Sequence, residues 1–433
     1  MADELLRRGW MRLDNAAKIY PAAMRRSWTA LFRFSANLTE AVDPVVLQQA
    51  VNAVTRRFPA FAVRLKRGVF WFYLQHTDRA PTIQQDVQNP CVPMDLKDND
   101  RFLFRVRYYE TRIACEYFHV LTDGTGGLLF LKTLVAEYLR LKYGAAIPRG
   151  SGLLDCDEQP RPEELEDAFL RYARPETLPR AEKAAYHVRG TDEPPDVIHV
   201  ITGMCPVAEL KEKARSYGVS VTEYLTAVLL LCLDEMQRRS VRPKGRLKPV
   251  KVCVPVNLRS FFPSETVRNF ALYVNPGMEP RLGHYTIEEL TNIVHCQMAL
   301  EATEKNLCAR FSQNVRSEQS IALRLVPLFL KNLVMRLVFH QVGDRITSTC
   351  LSNLGLVRLP QEMAQYVTRM DMMLGPLSQN RVVLAALSYQ GSAHLTFTST
   401  IRETDLPRAF FRYLVRAGIH VKVESNNPAD GKE

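Results

Sequence analysis

Apolar and polar positions alternate from Trp28 to Ser35, where aromatics also gather, and a period of two predicts a strand. The period lengthens after Asp43-Pro44. Val46, Leu47, Ala50, Val51 and Val54 recur at helical spacing, and proline suits a first turn, where a backbone N–H has no helical partner to lose. Val69–Leu74 is rich in aromatic and β-branched side chains and predicts another strand. Phe102–Tyr109 and Ile113–Val120 are extended runs separated by Glu110-Thr111-Arg112, the pattern of a hairpin. Beyond Gly124-Thr125-Gly126-Gly127, the positions Leu128, Leu131, Leu134, Val135, Tyr138 and Leu139 mark an amphipathic helix.

The texture then changes. From Pro148 to about Pro195 the chain is rich in Pro, Glu, Asp and Arg with few apolar repeats, which reads as a linker with short helical pieces. A strand at Val197–Thr202 opens the second half, and a helix follows from Pro206. Ser220-Val221-Thr222-Glu223 leads into an apolar helix over Tyr224–Met236. Val250–Val256 is a strong strand, and Asp344–Leu351, Arg381–Tyr389 and His394–Ile401 are extended. The pattern is that of a mixed α/β (α+β) protein in two comparable halves, 1–190 and 191–433, with the linker at 148–195. A length of 433 residues also exceeds what one hydrophobic core usually serves.

Composition narrows this picture only a little. With 46% hydrophobic and 24% charged residues the chain is ordinary globular protein rather than a disordered one. A net charge of +11 favours anionic partners, although a generally basic surface is the plainer reading. The nine cysteines are odd in number, form no C-x-x-C pair and sit partly in apolar runs, as Cys232 does. That usage fits thiols in a reducing compartment. With no apolar core near the N-terminus for a signal peptide, a cytoplasmic location is expected. Ile321–His340 is long and apolar, but Arg324, Lys331 and Arg336 interrupt it. Three cations are costly inside a bilayer, so a buried or half-buried helix is expected there rather than a transmembrane span, with peripheral membrane contact left open.

The candidate chemistry centres on His119. It closes a hydrophobic strand, and Asp123-Gly124 follows it closely. The run of Gly124, Gly126 and Gly127 reads as a strand end entering a tight loop, which can expose an imidazole at a sheet rim. An unperturbed histidine, with its pKa of about 6.5, is suited to take a proton from an alcohol or amine.

Three downstream segments add to this one. Val254-Pro255-Val256-Asn257-Leu258-Arg259 is a strand ending in arginine, Asn269-Phe270 lies ten residues on, and Ser352-Asn353-Leu354-Gly355 comes later. In order and spacing, with His119–Gly124 as an H-x-x-x-D-G motif, they resemble the coenzyme A-dependent acyltransferase superfamily. That superfamily holds chloramphenicol acetyltransferase, alcohol acetyltransferases, polyketide-associated acyltransferases and nonribosomal condensation domains. Many relatives carry a second histidine just before the motif; here Phe118 stands in that place.

The resemblance implies two chloramphenicol acetyltransferase-like subdomains, each a mixed sheet flanked by helices, with a crossover segment and an active-site tunnel between them. It makes His119 the general base and Asp123 a structural partner of Arg259, while Gly124 leaves room for substrate or loop closure. Ser352 and Asn353 become candidates for holding the oxyanion, although Asn353 could equally cap the turn before Gly355. Asn257 reads better as a partner of its own turn than as a catalytic group. Transfer would be direct, without an acyl-enzyme, from acyl-coenzyme A as co-substrate or from a carrier protein's phosphopantetheine, and no tightly bound cofactor is implied.

Lys244, Arg246, Lys248 and Lys251, together with Arg310, Arg316 and Arg324, are candidate contacts for those anionic donors, although a solvated basic loop is the plainer reading of either cluster. Nothing has the spacing of a nucleic-acid module or a phosphate loop, and His295, His340 and His394 form no metal-ligand pair. The resemblance to the alcohol acetyltransferase-like branch therefore implies acyl transfer from acyl-coenzyme A to an alcohol. The competing readings are condensation with a carrier-bound donor, giving an ester or amide, and a non-catalytic binding member of the fold.

Overall fold

The computed structural model describes residues 9–23, 29–94, 96–97, 99–150, 152–178, 182–241, 246–320, 326–328, 330–332, 344–377 and 379–427. The first half contains β1 (Trp10–Arg12), α1 (Ile19–Ala23), β2 (Leu31–Leu38), α2 (Pro44–Arg57), β3 (Val63–Arg67), β4 (Phe72–His76), β5 (Gln84–Gln85), β6 (Phe104–Tyr109), β7 (Arg112–Phe118) and α3 (Gly124–Tyr143). After α4 (Ala168–Tyr172) come β8 (His199–Pro206), α5 (Val207–Ser216), α6 (Val221–Ser240), β9 (Val250–Asn257), β10 (Ala271–Val274) and β11 (Gly277–Met278). They are followed by α7 (Ile287–Glu301), α8 (Glu304–Gln319), β12 (Thr349–Leu356), α9 (Gln361–Ala364), β13 (Val367–Leu374), β14 (Val382–Tyr389), β15 (Ser392–Ser399), α10 (Asp405–Arg416) and β16 (Lys422–Ser425).

Two main sheets result. One is five-stranded in the order β13-β2-β7-β6-β5, and the other is eight-stranded, β10-β9-β12-β14-β15-β8-β16 with β11 beside β9. Strands β1, β4 and β3 form a small third sheet. Each main sheet has its own core. Phe32, Phe34, Tyr117 and Phe130 anchor the first, and Leu225, Leu229, Leu384, Phe397 and Phe410 the second.

The halves interlock. Strands β12 and β14 are parallel neighbours, so the chain between them must cross over. It does so through the other sheet: α9 and β13 leave the second half, and β13 pairs antiparallel with β2, Met372 facing Phe34 across the ladder. The sequence midpoint therefore divides the chain but not the sheets.

Local chemistry explains most element ends. Asp43 caps α2 by accepting from the Val45 and Val46 N–H groups, and Ser220 and Glu223 form a reciprocal capping box on α6. Three expectations shift. The strand foreseen at Val69–Leu74 begins only at Phe72, because Gly68 N–H donates to Trp71 O in a tight turn that leaves Val69 and Phe70 at its tip. Asp344–Ile346 forms a helical turn before β12 starts at Thr349.

The third shift concerns the charged segment from 148 to 195, which is no solvated linker. Leu153, Leu165, Phe169 and Tyr186 are buried along it. Its Glu164 turns inward, where Arg57 donates to both carboxylate oxygens at 2.6 and 2.8 Å, while Arg161, Arg171 and Arg174 stay exposed. None of the nine cysteines is in a disulfide, and Cys296 is exposed. The apolar stretch Ile321–His340 lies outside the described residues except at 326–328 and 330–332. Among the described residues no single helix is long and apolar enough to cross a membrane.

Candidate active site

Strand β7 runs beside β2 with Phe118 opposite Leu31. One residue later the chain leaves the sheet. His119 N–H donates to Ala30 O at 2.9 Å, and Leu121 N–H turns back to Phe118 O at 2.8 Å. Five residues after His119, helix α3 begins. The glycine-rich stretch after Asp123 is thus the first turn of a helix and not a loop, contrary to what composition suggests.

Two facts explain a helix that starts on poor helix formers. Asp123 caps it, one carboxylate oxygen accepting from Thr125 and Gly126 N–H at 3.0 and 3.1 Å. The glycines also allow close packing. A Cβ on Gly126 would overlap the Val267 carbonyl and the Thr122 hydroxyl, and one on Gly127 would press into the Phe32 ring. A Cβ on Gly124 would meet Leu354 of β12 at 3.3 Å, so the Ser352–Gly355 segment abuts the start of α3.

The second carboxylate oxygen of Asp123 faces the other half of the protein. It accepts from Arg259 Nη1 at 2.7 Å and from Phe270 N–H at 2.8 Å. The two oxygens together receive four donors. Arg259 also ties its own loop, with Nη2 donating to the carbonyls of Thr266 and Arg268 at 2.8 and 2.7 Å. Asn257 caps that turn by accepting from Arg259 N–H at 3.1 Å. The loop clamps the other end of the His119–Asp123 segment too, since Asn269 Nδ2 donates to His119 O at 2.9 Å.

The imidazole itself is half-buried between rings. Phe32 lies 4.4 Å from it centroid to centroid, and Tyr20 stacks at 5.3 Å with only 17° between planes. Burial pushes the His119 pKa down to about 4, against the opposing pull of Asp123, the Thr122 backbone and Asn269. The ring is therefore neutral at pH 7. Its Nδ1 is buried and has no hydrogen-bond partner among the described residues.

The N-terminal segment that supplies Tyr20 is the part of the site that sequence reasoning missed. Asp14, wholly buried, accepts from Asn269 Nδ2 at 3.1 Å and from Ala17 N–H at 2.7 Å. Burial raises its pKa despite Arg268 nearby. Arg268 Nη2 donates to Arg12 O at 2.7 Å, and Asn15 and Lys18 both bind Glu318 of α8. These contacts strap residues 10–20 across the seam between the halves. Only Asn269 among these partners carried a sequence signal.

The remaining candidates are placed as follows. Asn353 caps the turn at Gly355, whose φ is +71°, by accepting from Gly355 N–H at 2.8 Å, and its Nδ2 donates to Thr222 Oγ1 at 3.0 Å. Both of its polar atoms are engaged. Ser352 lies beside it on β12, and its hydroxyl makes no hydrogen bond among the described residues. Of the basic candidates, Lys251 is paired with Glu182 at 2.7 Å and Arg310 with Glu301 at 3.0 Å, which leaves neither free for an anion. Lys244 and Arg324 lie outside the described residues.

No protein-family model matches the sequence, and neither does any curated protein. Solved structures do match. Polyketide synthase associated protein 5 from Mycobacterium tuberculosis superposes with a TM-score of 0.58 at 15% identity, covering 93% of this chain and 96% of that one. The starter condensation domain of rhizomide synthetase, solved in complex with C8-CoA, gives 0.59 at 14% identity over 96% and 97%. This chain has the chloramphenicol acetyltransferase-like fold. A third structure of that fold, the trichothecene 15-O-acetyltransferase from Fusarium sporotrichioides, gives 0.58 at 10% identity over 94% of both chains. The chloramphenicol acetyltransferase-like fold thus extends over nearly the whole chain, and His119 lies at the seam of its two halves.

Proposed function

We propose that this protein is an acyltransferase that moves an acyl group from acyl-coenzyme A to an alcohol, with His119 as general base. The observation that carries the reading is an imidazole at the seam between halves, packed between Phe32 and Tyr20, with its backbone clamped by Ala30 and Asn269. A neutral ring has a lone pair for the proton of an acceptor hydroxyl. The oxygen would attack the thioester carbonyl as the proton moves to His119. Collapse of the tetrahedral intermediate would expel the thiolate, which recovers that proton. Asp123 has its oxygens filled by four donors, so it frames the loop and relays nothing. The oxyanion would be met by Ser352 more readily than by Asn353, whose amide already serves Thr222. Nine cysteines outside any disulfide fit a reducing, cytoplasmic setting.

A carrier-bound donor is the second reading, favoured by the structural likeness to condensation domains. Turnover with free acyl-coenzyme A, measured by mass spectrometry against an alcohol panel and then with an acyl-carrier donor, separates the two. His119→Ala is expected to lower kcat by roughly 10²–10⁴-fold without changing the unfolding midpoint. Undiminished product formation in that variant would sink the assignment of His119 as the base, and no product from the unsubstituted chain with either donor would leave a binding protein.

A further inference from the structure

Helix α10 has one face against the eight-stranded sheet. Phe410 and Leu414 are buried, and Phe411 rests where Gly203 of β8 has no side chain to block it. Its outer edge is different. Arg408, Arg412 and Arg416 stand at successive turns, spanning about 12 Å along the axis. Among the described residues none of the three is paired with a carboxylate. Between them and the edge strand β16 runs a groove of about 680 Å³ with an apolar floor of Ile201, Phe411, Val415, Val421 and Val423. Among the described residues no acidic side chain lines it. The nearest carboxylate on β16, Glu424, is bonded to Arg369 Nη1 at 2.7 Å. Val415 and Val423 remain 54% and 51% exposed, an apolar surface that the fold itself does not cover.

We propose that this groove docks an acidic amphipathic helix of a partner protein. Charge complementarity chooses the occupant. Guanidiniums repeated once per helical turn match carboxylates repeated at the same interval on a facing helix, whose apolar side chains would enter the groove. A single phosphate headgroup would engage one or two of the three arginines, and a flat bilayer does not follow a concave groove. The proposal stands apart from the acyltransfer reading, because among the described residues no hydrogen bond, ion pair or ring contact joins α10 to His119.

The test uses the purified full chain and a fluorescein-labelled synthetic helical peptide, with leucines at three- and four-residue spacing flanked by glutamates one turn apart. Saturable binding by anisotropy, weakening as NaCl rises, is expected. Combined Arg408→Glu, Arg412→Glu and Arg416→Glu substitution should weaken it by about tenfold or more. Val415→Asp should also weaken it while the thermal midpoint holds, and hydrogen exchange should slow across residues 405–425 when peptide binds. Equal binding of a peptide with glutamine for glutamate would overturn the proposal. So would unchanged affinity of the triple variant, or arginine-dependent capture by anionic phospholipid vesicles with no peptide binding.

Discussion

The loop from His119 to Asp123 and the outer edge of α10 both concentrate polar groups beside apolar ones, and they treat them oppositely. At Asp123 every oxygen is filled, by two N–H groups of its own helix, one from Phe270 and the Arg259 guanidinium. On α10 three guanidiniums face solvent with no carboxylate among the described residues. A charge removed from water must be answered within the fold, or its desolvation is uncompensated. A charge left in water need not be, so an unanswered row beside bare valines speaks about partners and not about stability.

The difference can be broken most forcefully at Arg259. Its side chain is 11% exposed and that of Asp123 6%. Arg259→Ala leaves a buried carboxylate without its counter-charge and unties the 258–270 loop. The expected loss is about 3 kcal/mol or more by denaturant unfolding, with acyl transfer abolished as His119 loses its support. A loss under about 1 kcal/mol would mean that the remaining N–H donors suffice and that the pair is ornamental.

This frame was largely legible in the sequence, because each half of it is a short local string: His119–Gly124, Val254–Arg259 and Asn269-Phe270. What those strings could not show is what comes to them from far away. Tyr20 and Asp14 reach the site through contacts with His119 and Asn269, far along the chain, and nothing in the residues around them is unusual.

Composition misled where tertiary contacts decide. Gly124, Gly126 and Gly127 read as loop because glycine is a poor helix former, yet a cap and the nearness of Val267 and Phe32 make them helix. The segment from 148 to 195 read as linker because it is rich in Pro and charge with few apolar repeats, yet Arg57 and Glu164 bury one another there. Strand β13 was hidden by Asp371, a carboxylate in mid-strand that is answered by Arg369 and His394. The same cause runs through all three, since partners distant in sequence change what a local pattern means.

A finer test concerns how tightly the site is sealed. With the His119 pKa near 4, the acid limb of kcat/KM is expected near pH 4 and not near 6.5. Tyr20→Ala removes one stacked ring and lets water reach the imidazole. The limb should then move up toward 6.5, and an NMR titration of the His119 ring should follow it even if turnover is lost. Stability changes in the same window. The folded form holds the imidazole below its unfolded value, so the neutral ring's contribution is complete above pH 6.5 and is lost as pH falls toward 4. An unmoved titration in Tyr20→Ala would show that Phe32 alone seals the ring.

The smallest effect belongs to the other member of the pair. Arg412→Ala on the outer edge of α10 should change stability by no more than about 0.5 kcal/mol either way, because the guanidinium is solvated and opposes no carboxylate. Thermal unfolding at two salt concentrations would measure it. A gain in stability at low salt that fades at high salt would mean that Arg408, Arg412 and Arg416 repel one another along the helix, as like charges one turn apart do. The row would then be held at a cost to the fold, and a cost carried in the free chain is one that an acidic partner would relieve.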